Sequence, residues 1–232
     1  MAFQVWKLPV LCLLFCYWSS TSTVTGFTNE QLKRVTDYVS QTYSITEEYA
    51  YVIKFNKTEC DQLTDQNIAG ALEKDTVDVI TKSLSSESHI YEGTRMVISL
   101  HKDLGNYVKE HAAYRLLYPT AGSKKSPLEN LMKKSPGAGC AIFFSSKSPC
   151  QAYCTKPKRQ YKIVQKLRQF NSIKKNINKA FIFKELYNEP NFHVCCPEKR
   201  LKAIDKKMPL YRCDDDCFLC FPNGVFNHKC MA

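Results

Sequence analysis

Two stretches decide the reading of this chain: Ser146-Lys147-Ser148-Pro149-Cys150-Gln151-Ala152-Tyr153-Cys154 and, upstream of it, His111-Ala112-Ala113. One imidazole and two closely spaced sulfurs can hold Zn2+ through three protein ligands and leave a fourth position open. That is the ligand set of a hydrolytic zinc site rather than a closed structural one. His111, Cys150 and Cys154 are therefore the candidate metal ligands. Cys140 to Ser145, just before the second stretch, is an apolar run suited to a buried central strand. Such a strand would bring the two stretches together. Pro149 suits a helix start, where its missing N–H is no loss. The N-terminus of a helix also favours thiolates.

Outward from this centre, the periodicities alternate between helix and strand. Thr28 to Ser40 reads as a helix with Thr28 as N-cap, and Leu32, Val35, Tyr38 and Val39 share one side. Tyr49 to Phe55 and Thr94 to His101 read as strands. Helical character returns around Val77 to Leu84. Tyr107 to Tyr118 reads as a helix carrying His111 and stopped by Pro119. Ser126 to Lys134 reads as a short helix, and Lys158 to Phe170 as a longer one with Tyr161, Val164 and Leu167 on one stripe. Ala180 to Phe183 and Phe192 to Cys195 complete a set of five strands, and the tail beyond Pro197 reads as irregular and cysteine-dense. The expectation is an α/β sandwich of three layers, a mixed five-stranded sheet flanked by helices, with a cysteine-rich C-terminal extension. There is no internal repeat.

The first residues read as an export signal. Lys7 precedes an apolar run from Leu8 to Trp18, and Val24-Thr25-Gly26 offers small residues for cleavage. Residues 1–26 are thus expected to leave, with 27–197 forming the main domain and 198–232 a disulfide-stapled tail packed on it. The apolar run is too short for a confident membrane span. Cysteine usage agrees with an oxidising, extracellular destination. If Cys150 and Cys154 bind metal, Cys60, Cys140, Cys195, Cys196, Cys213, Cys217, Cys220 and Cys230 remain to form disulfides, in any of about 105 pairings. Counted only as secreted cysteines, they would instead form four or five disulfides with no metal, and Cys150 and Cys154 could bridge locally. Asn56-Lys57-Thr58 is a glycosylation sequon on Asn56.

The chain has 33 basic and 22 acidic residues, a net charge of +11. The excess is concentrated. Lys156, Lys158, Arg159, Lys162, Lys166, Arg168, Lys174, Lys175 and Lys179 lie in one segment without an acid, interleaved with Tyr161 and Phe170. The functional reading is a face for the backbone of single-stranded DNA or RNA. Heparin-like polyanions, or a merely solvated helix back, are the alternatives. Cys213-Asp214-Asp215-Asp216-Cys217, with Cys220, His228 and Cys230, offers a second metal site, but export favours disulfides there. His193 beside Cys195-Cys196 reads as a strand histidine next to bridged cysteines. No Gly-rich phosphate loop and no G-x-S-x-G elbow occurs.

His111-x-Ala113 followed by Pro149-Cys150-x-x-x-Cys154 resembles the zinc-dependent cytidine deaminase superfamily, whose signature is H-x-E and P-C-x(2–4)-C. Ser146-Lys147-Ser148-Pro149-Cys150 resembles the S-W-S-P-C segment of its AID/APOBEC branch, and Leu186-Tyr187-Asn188-Glu189-Pro190 that branch's L-Y…P loop, here shorter. With the export signal, extra cysteines and basic body, the chain is most similar to the secreted novel AID/APOBEC-like deaminases, over about residues 28 to 195. The resemblance implies zinc on His111, Cys150 and Cys154, a base pocket walled by Tyr187 and floored by Ser148, and cytosine-to-uracil chemistry on a single strand. It tips the balance from a Cys150–Cys154 bridge toward zinc. Two departures stand out. Lys147 replaces an aromatic residue of the pocket wall, and Ala113 stands where the proton-carrying glutamate belongs, so the chain is expected to be catalytically disabled. Glu110, about 4.5 Å along a helix axis from that position, is a poor replacement. A non-catalytic secreted nucleic-acid or polyanion binder, acting in innate defence, is the alternative.

Overall fold

The structure is a computed structural model that describes residues 26–105, 109–134, 139–150, 154, 162–172, 177–187 and 197–231. Helix α1 (Asn29–Tyr43) is followed by β1 (Tyr49–Phe55), the short helices α2 (Lys57–Asp61), α3 (Asp65–Ala71) and α4 (Val77–Leu84), and strands β2 (Ile90–Glu92) and β3 (Met96–Leu100). A small ribbon of β4 (Lys102–Asp103) and β5 (Lys109–Glu110) leads into α5 (Ala112–Leu117) and α6 (Pro127–Lys134). Then come β6 (Cys140–Lys147), a 3-10 turn at Lys166–Ser172, β7 (Asn178–Glu185), α7 (Pro197–Asp205), β8 (Leu210–Cys213) and β9 (Cys217–Leu219).

The described strands form a seven-stranded mixed sheet in the order β2-β3-β1-β6-β7-β8-β9, and not a five-stranded one. β1 pairs antiparallel with β3 and β6, while β6–β7 and β7–β8 are parallel. Both faces are covered, so alternate residues of each strand enter opposite cores. Tyr51 and Ile53 of β1, Ile142 and Phe144 of β6, and Ile182 of β7 pack with α1, α3 and α4. Ala50, Val52, Ala141, Phe143, Phe181 and Phe183 face the layer of α5, α6 and α7. This three-layer arrangement matches the expected sandwich.

Local rules explain most boundaries. The Thr28 hydroxyl accepts from the Gln31 N–H, and Gln31 returns the bond to the Thr28 N–H, a capping box that starts α1. Asn56 caps α2 in the same way with Glu59. This cap uses the side-chain oxygen of Asn56, the first residue of the sequon.

Three expectations are corrected. The helix expected from Tyr107 begins only at Ala112, because Lys109–Glu110 pairs with Lys102–Asp103 and His111 becomes the N-cap residue. The helix expected over Lys158–Phe170 is, among its described residues, a 3-10 turn that begins at Lys166. Its apolar stripe repeats every third residue, which is the 3-10 period rather than the α period. The tail is not irregular: it supplies α7 and strands β8 and β9 of the main sheet. Residues 1–25, the expected strand over Phe192–Cys195 and the helix start after Pro149 lie outside the described residues.

Among the described residues, disulfides join Cys60 to Cys140, Cys213 to Cys217 and Cys220 to Cys230, besides the Cys150–Cys154 pair described below. The first ties α2 to the start of the central strand β6, and the second closes the β8–β9 hairpin. Cys195, Cys196 and His193 are outside the described residues. The Cys213–Cys217 and Cys220–Cys230 bonds occupy the sulfurs that a second metal site would need.

Candidate metal centre

The centre is assembled by the ends of three elements. α5 starts at His111, β6 ends at Lys147 just before Ser148-Pro149-Cys150, and β7 ends at Glu185 just before Tyr187. Because β6 and β7 are parallel neighbours, both release their chains at the same end of the sheet. The Ser148 N–H donates to the Glu185 carbonyl (2.7 Å), and the Tyr187 N–H donates to the Ser148 hydroxyl (2.9 Å). The Tyr187 ring then stands edge-on to the His111 imidazole, with centroids 4.9 Å apart at 88°. His111, Ser148 and Tyr187, distant in sequence, thus share one wall.

A ligand nitrogen of His111 and the sulfurs of Cys150 and Cys154 all lie within 4.8 Å of one another. The two cysteines are buried, and the His111 side chain is 11% exposed. The two sulfurs are in bonding contact, as a local disulfide would place them. A disulfide gives no reason for an imidazole to converge on both atoms, whereas joint ligation requires it. The Cys154 N–H points at Cys150 Sγ (3.2 Å), a donor that favours a thiolate. The donor set of one nitrogen and two sulfurs fits zinc and leaves one coordination position for water.

The imidazole has a partner that local sequence patterns do not reveal. Glu48, in the segment before β1, accepts from His111 Nδ1 at 3.0 Å and is 18% exposed. Burial pushes its carboxyl up. The hydrogen bond and charge of His111, the nearby His101 and the Ala112 N–H outweigh that, and the carboxyl lies below its ordinary value. Ala113, buried at the first turn of α5, offers no polar atom. Glu110 lies outside the helix in β5, with its carboxylate 3.6 Å from Arg115 Nε.

The other expected site residues are distributed as follows. Lys147 pairs with Glu185 across the β6–β7 register, so its charge is neutralised at the rim. Lys162 is half-buried, and its carbonyl accepts from the Tyr118 hydroxyl (2.6 Å). Lys166 lies over the Tyr118 ring at 5.0 Å, and Arg168 is exposed. Lys156, Lys158 and Arg159 lie outside the described residues. Sequence reasoning missed the Tyr114–Tyr118 pair on α5, stacked at 4.3 Å, which lines a groove of about 440 Å³ together with Arg115, Lys102 and Glu110. The i, i+4 spacing of two tyrosines on the His111 helix was the available signal.

The chain matches the family model described as Secreted Novel AID/APOBEC-like Deaminase 1 over residues 29–232. It belongs to that family, and the match extends through β8 and β9 to the C-terminus. No curated protein matches the chain. The family's name denotes secretion, and among the described residues no helix is long and apolar enough to cross a membrane.

Proposed function

We propose that this deaminase-family chain is a zinc protein that acts on cytosine in single-stranded DNA or RNA outside the cell. The observation that carries this reading is the convergence of His111, Cys150 and Cys154 beside the Tyr187 ring. These three side chains would hold the metal. When bound, zinc supplies a Lewis acid that makes water a nucleophile near neutral pH. Tyr187 offers a flat face for the target base, and the Ser148 backbone would close the pocket floor. A single strand presents its bases without the cost of extrusion from a duplex. The stacked Tyr114 and Tyr118, with Lys166 above Tyr118, supply aromatic faces and positive charge for the neighbouring nucleotides.

The reaction adds water at C4 of cytosine and releases ammonia. The two protons of water go to the ring N3 and to the departing amino nitrogen. A carboxylate must carry them, and residue 113 cannot. A chain dependent on that position alone would fold, bind metal and capture substrate, but lose at least ~10²–10⁴-fold in rate. Ala113 therefore favours a second reading, a secreted binder of nucleic acid or another polyanion that does not turn over. The experiment is uracil formation from cytosine-containing single-stranded oligonucleotides, with the zinc-loaded chain beside its Ala113→Glu variant. Uracil from either chain supports the deaminase reading. No uracil from either, on DNA and RNA alike, overturns it and leaves the binder.

A further inference from the structure

We propose that Asn56 carries an N-linked oligosaccharide, rooted at the end of the sheet opposite to the metal centre. Asn56-Lys57-Thr58 is the one N-x-S/T sequon in the chain. Such triplets are common by chance, so the fold must supply what attachment needs. It needs an amide nitrogen that is not engaged, a surface that takes a bulky polar group, and a backbone that keeps its bonds once the sugar is on. All three are present.

Asn56 caps α2, and the cap uses only half of its amide. Oδ1 accepts from the Glu59 N–H at 2.9 Å, while Nδ2 has no hydrogen-bond partner among the described residues and reaches solvent. Attachment replaces one N–H of that nitrogen and leaves the oxygen as it was, so the cap survives. The other cap contacts run through the backbone. The Asn56 N–H donates to the Glu59 carboxylate (2.6 Å), and the Cys60 N–H donates to the Asn56 carbonyl (3.0 Å). Lys57 and Thr58 are exposed, the Lys57 side chain at 83%, so a sugar beside them displaces no core.

The donor is a lipid-pyrophosphate oligosaccharide of the secretory compartment. The bond from the sugar's anomeric carbon to the phosphate oxygen breaks, and the lipid pyrophosphate leaves with the electron pair. Nδ2 bonds that carbon and gives up one proton. The step requires export, which the family's name denotes, and not the deaminase chemistry. β1 delivers Asn56 to the end of the sheet where β6 begins, since Phe55 pairs with Cys140. Cys150 and Cys154 follow the other end of β6, beyond Lys147. The rise along β6 separates the two ends by about 23 Å. A sugar on Asn56 covers the far end and leaves the mouth of the metal centre open.

The test uses the full chain secreted by a eukaryotic cell, beside Thr58→Ala and Asn56→Asp. Both variants keep a capping oxygen at position 56. The first breaks the sequon, and the second removes the acceptor nitrogen. Intact mass is read before and after peptide-N-glycosidase, which frees the sugar and converts the carrying asparagine to aspartate, and peptide mapping locates the change. The native chain is expected to lose mass in one step, with the conversion at position 56, and neither variant is expected to change mass. Zinc content is expected to be equal before and after digestion. The proposal is overturned if the secreted native chain returns Asn56 unmodified, or if the mass step survives in both variants. Zinc lost together with the sugar would overturn its placement away from the metal centre. If a variant is not secreted, the peptide map of the native chain decides by itself.

Discussion

Lys54 sits in β1 with no exposure to solvent and donates its ammonium to the Leu131 carbonyl. Burial, then the charges of Arg95 and Lys134, pushes its pKa down to about 8, against about 10.4 in an unfolded chain. Between these values the unfolded chain holds more protons, so this residue makes the fold more stable as pH rises through that window. Relative to Lys54→Met, the native chain is expected to gain on the order of 2–3 kcal/mol between pH 7 and pH 10.5. Denaturant titrations at both pH values measure this, and a flat difference contradicts it. A second position is sterically closed. A Cβ on Gly93 would overlap Asp75 Oδ1 and the Tyr91 hydroxyl, which are already bonded at 2.5 Å. Gly93→Ala is expected to lower stability by about 1–3 kcal/mol, read from the same titrations. At this scale the clustering of His111, Cys150 and Cys154 was legible, because metal-binding motifs use few residue types at set spacings. Glu48 was not, because its contact with His111 spans 63 positions and belongs to no motif.

Elements were legible where their period matched their burial. In β1, Lys54 apart, and in the Cys140–Phe144 part of β6 every residue is apolar because both faces are covered, and such runs read directly as central strands. The turn after Lys166 was misread because a stripe at every third residue serves a 3-10 turn as well as a short helix. β8 and β9 were hidden by their brevity and by cysteines that suggested an irregular tail. Two predictions belong here. Thr28→Ala removes one side of the α1 capping box and is expected to cost about 1 kcal/mol in equilibrium unfolding. Replacing Cys60 and Cys140 together by alanine frees a loop of 80 residues and is expected to cost about 2–5 kcal/mol. An unchanged midpoint would show, for Thr28→Ala, that the cap does not support α1, and, for the cysteine pair, that the tie does not constrain the unfolded chain.

For the molecule as a whole, the net charge of +11 and the parallel ends of β6 and β7 give the account its functional direction. This end of the sheet gathers the candidate metal ligands and the Tyr187 ring, and the Tyr114–Tyr118 groove lies against α5, the helix that starts at His111. Charge could be counted from the sequence, but its route over the surface depends on which side chains are already paired. Lys147 is neutralised by Glu185, while Lys166 lies over an aromatic ring. Everything rests on zinc held jointly by one imidazole and two thiolates. The most direct measurement is the metal content of the purified chain together with the oxidation state of Cys150 and Cys154, compared with His111→Ala. The account predicts close to one zinc per native chain, both cysteines reduced and open to alkylation once the metal is chelated, and zinc largely lost from His111→Ala. A metal-free native chain with Cys150 and Cys154 joined as a disulfide would contradict it.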